Sequence, residues 1–331
     1  MDFKTVDEAI NKAFSLEDEG KYKEALEIWK TGFHDFLEED LNEHKFDILV
    51  GKIWVNSLLK NAEGFINNII EAVEKGFICP QWMFQYKHDK EYETFLEYWQ
   101  RDPRYENIKE KNELLRTQKQ KLIKLEYKVY LPEEYVKKEK YPVFIAMHGD
   151  GDNMNLLMEE WKPETFLNRG YIVVYVQSTQ VSDHNGYSWI NDPTIARRDI
   201  RTCYEKIREQ YLIDEECVIL GGFSGGAIGG IDILMEDIIP MKGLIAICPE
   251  RKPESVTIEN IRKAISRKTK IVFMEGERSI PMKEEEEMLN MFKKVGLPYE
   301  YYINKGLEHE IPEDLNEKLN EVLEFIFNVQ V

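Results

Sequence analysis

The 331-residue chain is sparing in the residues that hold metals or staple small folds. Its four cysteines, Cys79, Cys203, Cys217 and Cys248, are scattered without a CxxC pair. Neither a disulfide framework nor a structural metal site is expected from such spacing, and the thiols read as reduced and mostly buried, as in a cytoplasmic protein. Long apolar runs are absent too: nothing reaches the roughly 18 residues that a membrane span requires. The first residues, Met1-Asp-Phe-Lys-Thr-Val-Asp-Glu8, lack a basic stretch followed by an apolar one, so no signal peptide is expected. Basic residues are outnumbered, 44 Lys and Arg against 62 Asp and Glu, for a formal charge of −18. That sign argues against nucleic acid as a partner and implies some repulsion of anionic substrates. With 43% hydrophobic and 32% charged residues the composition is that of a globular protein, and the length predicts two domains.

The first 118 residues lack the alternation of strands. Ala9, Ile10, Ala13, Phe14 and Leu16 recur at helical spacing; Gly20 punctuates; Tyr22, Ala25, Leu26, Ile28 and Trp29 then form a second apolar face. Gly20-Lys-Tyr22-Lys-Glu-Ala25 resembles the turn and second helix of a tetratricopeptide repeat, and Asn61–Phe65 with Ala72–Phe77 look like a degenerate second copy. Such arrays usually need three or more repeats to stand alone. The region is therefore expected to serve as a structural cap, with a peptide- or protein-binding surface as the alternative. His34, His44 and His88 read as surface or packing residues. Residues Tyr105–Gln120 are dense in charge and predict a solvated connecting helix, with the domains at 1–118 and 119–331.

Beyond it the rhythm changes. Leu125–Leu131 alternates and stops at Pro132, as an edge strand would. Short apolar runs follow at 143–147, 171–176, 218–221, 244–248 and 271–274, with a more aromatic one at 299–303. Such runs suit parallel strands buried on both faces. Helix-period segments between them, at 195–211 and 284–295, predict a doubly wound α/β sheet.

Within this region Gly222-Phe-Ser224-Gly-Gly226 follows an apolar strand and precedes a helical run. That is the G-x-S-x-G pattern of a nucleophile elbow, where the serine occupies a tight strand-to-helix turn and flanking side chains would collide with neighbouring backbone. The amide of Gly225, at the helix start, would point toward a developing oxyanion. His148-Gly149-Asp150-Gly151-Asp152 comes straight after another apolar strand. The competing reading of that loop, with Asp150 and Asp152 as metal ligands, has only two nearby carboxylates to offer. Of the six histidines only His309, in Gly306-Leu-Glu-His309, lies after Ser224. The order nucleophile, acid, histidine places it as the base.

Together Leu131-Pro132, Tyr141-Pro142, His148-Gly149-x-Gly151, Gly222-x-Ser224-x-Gly226 and Gly306-x-x-His309 resemble the serine hydrolases of the α/β-hydrolase superfamily. The nearest likeness is to carboxylesterases and lysophospholipases, close to dienelactone-hydrolase-like and prolyl-oligopeptidase-like esterases. The resemblance covers residues 120–331. It implies an oxyanion hole from the amides of Gly225 and Asp150, with Gly149 as the alternative to Asp150, a structural His148, and a substrate-pocket role for Trp189, for which a packed core aromatic is the alternative. It also implies an acid at the third position after Gly276, where this chain has Ser279. Glu277 is the expected replacement, Glu250 after the preceding strand is the second candidate, and a missing acid is the third.

The expectation is thus a serine esterase acting on small carboxylic esters through an acyl-enzyme on Ser224, with no cofactor and no metal. A serine peptidase with the same residues and a silent hydrolase fold used for binding are the alternatives. Neither the natural substrate nor the oligomeric state is legible.

Overall fold

The computed structural model describes residues 3–85, 96–279 and 283–327. His88 lies outside the described residues. The chain forms two compact units, one of residues Met1–Leu122 with Ser182–His184, the other of Ile123–Val181 and Asn185–Val331.

The first unit is helical. Helices α1 (Val6–Asp18), α2 (Tyr22–Thr31), α3 (Glu38–Leu41), α4 (Lys45–Leu58), α5 (Ala62–Glu74) and α6 (Tyr105–Leu122) carry it. Thr5 and Asn61 cap α1 and α5 by accepting from the amides of Glu8 and Gly64, which satisfies donors that a helix start leaves unpaired. The inner faces hold Ala9, Ala13, Ala25 and Trp29, all fully buried. Phe14 departs from that pattern: it is largely exposed, with its ring edge-on to Trp29 at 5.4 Å. The charged connecting helix runs on to Leu122, so the change of unit comes after 122, where 118 was expected; nothing in residues 119–122 breaks the helix. The short segment Ser182–His184 is tied in by the His184 amide, which donates to Ile78 O at 2.9 Å, and by the His184 ring against Phe77 and Phe46.

The second unit is the expected doubly wound sheet. Strands β1 (Glu126–Tyr130), β2 (Tyr141–Met147), β3 (Ile172–Gln177), β6 (Ile213–Phe223), β7 (Gly243–Ile247), β8 (Lys270–Gly276) and β9 (Tyr299–Asn304) are ordered β1-β3-β2-β6-β7-β8-β9. All pairings are parallel except that of the edge strand β1 with β3. A two-stranded ribbon, β4 (Gln180–Val181) with β5 (Tyr187–Ser188), stands apart. Alternate residues of the buried strands feed two cores. Val143, Ile145 and Met147 join one, with Ile200 and Cys203 of α9 (Pro193–Gln210) and Ile231 of α10 (Gly225–Met235). Phe144 and Ala146 join the other, with Leu157 and Trp161 and with Leu319 and Val322 of α13 (Leu315–Phe327). Helices α7 (Met154–Glu160), α8 (Glu164–Leu167), α11 (Ile258–Ser266) and α12 (Lys283–Val295) complete the layers. Because the central strands are parallel, the loops that leave their carboxyl ends gather on one edge, where ligands of open α/β sheets bind. Among the described residues no helix is long and apolar enough to cross a membrane.

Candidate active site

The turn after β6 is strained as its sequence pattern requires. Ser224 has φ 51° and ψ −117°, a conformation that costs a non-glycine residue of order 1–3 kcal/mol and persists only when the surroundings impose it. They do so here. The Ser224 amide donates to Ile247 O at 2.8 Å, and its carbonyl accepts from Ile228 at 3.0 Å, starting α10. A Cβ on Gly222 would lie 2.4 Å from the carbonyl of Gly226, and one on Gly226 would lie 2.4 Å from Met147 O. No side chain fits at either position, so the glycines fix the turn.

The loop after β2 meets this turn. A Cβ on Gly225 would lie 3.0 Å from the amide nitrogen of Asp150, so the two backbone segments named for the oxyanion hole are adjacent. Asp150 reaches solvent as a residue, yet crowding around its carboxyl raises its pKa despite a hydrogen bond with Ser188. Its loop is bridged to β5: Gly151 donates to Tyr187 O at 2.9 Å, and Tyr187 donates to Asp152 O at 2.8 Å. His148 is fully buried beneath the loop. Its Nε2 accepts from the Ser178 amide at 3.3 Å, which leaves Nδ1 to donate to Gly149 O at 2.7 Å. Burial lowers its pKa to about 4, so it is neutral and structural. Among the described residues no group of His, Cys, Asp and Glu is arranged to hold a metal ion.

His309 arrives from the loop after β9. Its ring leans on that of Phe223, the residue before Ser224, with centroids 5.1 Å apart. Among the described residues no hydrogen bond joins it to the Ser224 hydroxyl; such bonds are often long until substrate binds. Its Nδ1 is shielded from solvent and lies 3.1 Å from Oε1 of Glu250, too bent for a well-formed hydrogen bond. The neighbouring imidazole holds the Glu250 carboxyl below its ordinary pKa, against the opposing effect of burial.

The expected acid Glu277 is elsewhere. Its Oε2 accepts from the Gly306 amide at 2.9 Å, so it braces the turn before His309 and does not face the imidazole. Ser279 closes the turn that carries Glu277, through its amide to Gly276 O at 3.1 Å. The carboxylate beside His309 comes from the loop after β7, whose backbone bends sharply, with φ 51° at Cys248 and 36° at Glu250. This loop is pinned to the histidine loop by the Cys248 thiol, 4.0 Å from Glu310 O. The two loops also close on β8: a Cβ on Gly276 would lie 1.9 Å from Glu308 O.

Trp189 requires a correction as well. It is 1% exposed, packed on the His148 ring at 5.3 Å and against Gly229. So enclosed among His148 and the helix backbone at Gly229, it packs in the core, as the alternative reading expects.

One group escaped the sequence reading altogether. Glu275, at the end of β8, is 5% exposed, its Oε1 has no hydrogen-bond partner, and burial with the nearby Glu285 pushes its pKa up to about 8. The visible signal was a glutamate ending the apolar run Ile271-Val-Phe-Met.

The second unit has the α/β-hydrolase fold. Solved structures similar to the chain include an uncharacterized protein from Bacillus cereus ATCC 10987, 21% identical over 98% of this chain and 99% of that one, with a TM-score of 0.50. A ferulic acid esterase is 16% identical over 62% of this chain and 92% of its own, with a TM-score of 0.51. The first likeness extends over the helical residues; at these identities both speak to fold alone. No family model matches the sequence, and no curated protein matches it.

Proposed function

We propose that the protein is a serine hydrolase that cleaves carboxylic esters of small substrates through an acyl-enzyme on Ser224. His309 takes the serine proton through Nε2, since Nδ1 faces Glu250, and Glu250 orients the imidazole and offsets the charge it gains. The amides of Gly225 and Asp150 receive the oxyanion of the tetrahedral intermediate. His309 then returns the proton to the leaving alcohol, and water releases the acid. The observation that carries this reading is the strained Ser224 turn with the Asp150 amide held against Gly225. Strain of this kind has no packing benefit of its own and is retained where a hydroxyl must be presented.

The test is hydrolysis of short p-nitrophenyl esters, with fluorophosphonate labelling, by wild type and Ser224→Ala. Turnover and labelling by the wild type that vanish in the variant are expected. Equal turnover by the two proteins would overturn the assignment of the nucleophile, and an unlabelled, inactive wild type would favour a silent fold.

A further inference from the structure

A cleft of about 680 Å³ opens beside His309 and Phe223, walled by the turns around α7 and α8 and by the segment that leads from His309 into α13. Its charge is one-sided. Glu159, Glu160, Glu164, Glu310 and Glu313 line it against a single Lys162. Among the described residues no ion pair neutralises any of the five carboxylates. The guanidinium of Arg169, close in sequence, is spent on Thr165, Asn316 and Asn320. Burial and its acidic neighbours Asp152 and Glu159 raise the pKa of Glu160, as expected where like charges crowd.

A second feature of the wall is independent of the charge. Trp161 lines the cleft while only 1% exposed, and its indole N–H has no acceptor. A buried donor left unpaired is costly, so a small turn of this ring toward the cleft would let an ester oxygen pair with it.

We infer that this cleft selects esters whose alcohol carries a positive charge, such as a quaternary or protonated amine. The inference rests on the hydrolase reading above. It is the alcohol that belongs here, because His309 opens on the cleft and is the group that hands a proton to the leaving oxygen. As the acyl C–O bond breaks, the pair of electrons goes to the alcohol oxygen and the His309 proton follows it; water later supplies the hydroxyl that frees the acid from Ser224. The cationic alcohol is held by the carboxylates, and an anionic one is repelled by them. A cleft lined by one sign of charge concentrates its counter-ion and raises association rates by about 10-fold or more.

The experiment compares acetylcholine with 3,3-dimethylbutyl acetate, which has the same shape without the charge. The wild type should turn over the choline ester with a kcat/KM on the order of 10-fold higher, and about 0.5 M salt should remove most of that preference by screening. In the triple variant Glu160→Gln, Glu164→Gln, Glu313→Gln the preference should fall to about twofold or less. No preference in the wild type, or one that the triple variant keeps, would overturn the inference. Binding supplies a readout without turnover: Ser224→Ala should bind choline more tightly than 3,3-dimethylbutanol by calorimetry, and the triple variant in that background should not. If neither ester is hydrolysed and Ser224 is not labelled, the hydrolase reading fails, and the binding comparison alone decides the cleft: equal binding of the two alcohols would overturn it too.

Discussion

The Ser224 turn and the Glu250–His309 pair lie at neighbouring strand ends yet are built on opposite principles. The turn is local. Five consecutive residues, Gly222–Gly226, contain the strain, the glycines that permit it and the helix start that follows. The pair is assembled from three separate strand ends. Glu250 comes from the loop after β7, His309 from the loop after β9, and Gly276 of β8 lies between them with room for no side chain. A local device leaves a motif in the sequence, whereas a device assembled across strands leaves only scattered residues whose partner is decided by how each loop bends.

The sharpest test of this contrast is loss of the proposed nucleophile. Ser224→Ala should lower kcat for a p-nitrophenyl ester by about 10⁶-fold, measured against wild type at saturating substrate. The proposed acid comes next. Glu250→Gln should cost on the order of 10³–10⁴ in kcat, as loss of the orienting carboxylate does in serine hydrolases. Glu277→Gln should change kcat by less than about threefold, since an amide oxygen can still accept from Gly306. The reverse ranking would return the acid to Glu277. Gly276→Ala probes the place where the loops close on β8. A methyl there must displace Glu308 O, and the variant should unfold at lower urea concentration, with a stability loss of about 1–3 kcal/mol, and lose activity through a displaced His309.

The smallest effect concerns Glu275. Its folded pKa, about 8, stands above the ordinary value of 4.5, so the folded state keeps a proton that the unfolded chain releases. The associated stability is complete below pH 4.5 and is lost as pH rises through 8. Between pH 6 and 7.5 it should contribute a slope of about 1 kcal/mol per pH unit. Urea unfolding of Glu275→Gln at the two pH values should show that slope removed. A slope equal to that of wild type would mean that another group titrates there.

The degree to which each part was legible follows the same division. The sheet could be anticipated because strands buried on both faces must be continuously apolar, and Val143–Met147 and Leu244–Cys248 are so. The serine turn was legible through its glycines. Glu250 and Glu277 were both in view, and composition could not rank them: the choice depends on left-handed backbone at Cys248 and Glu250, in residues that carry no glycine signal. Trp189 looked like a pocket residue because an aromatic side chain in a loop has the same letter whether it meets solvent or His148. Phe14 failed in the other direction, fitting the helical period while lying at the margin of its buried face.

The segment Ser182–His184 carries a consequence for how such a protein can be divided or inherited. These three residues lie inside the sequence of the α/β unit but are counted with the helical one, where the His184 amide donates to Ile78 O. A gene cut at codon 122 would therefore not return two whole modules: the first fragment would lack a peptide that pairs with its Ile78, and the second would carry that peptide without its partner. Exchange of the helical unit for an unrelated one would have to replace residues 182–184 at the same time, so recombination should have kept the two stretches together as a single heritable block.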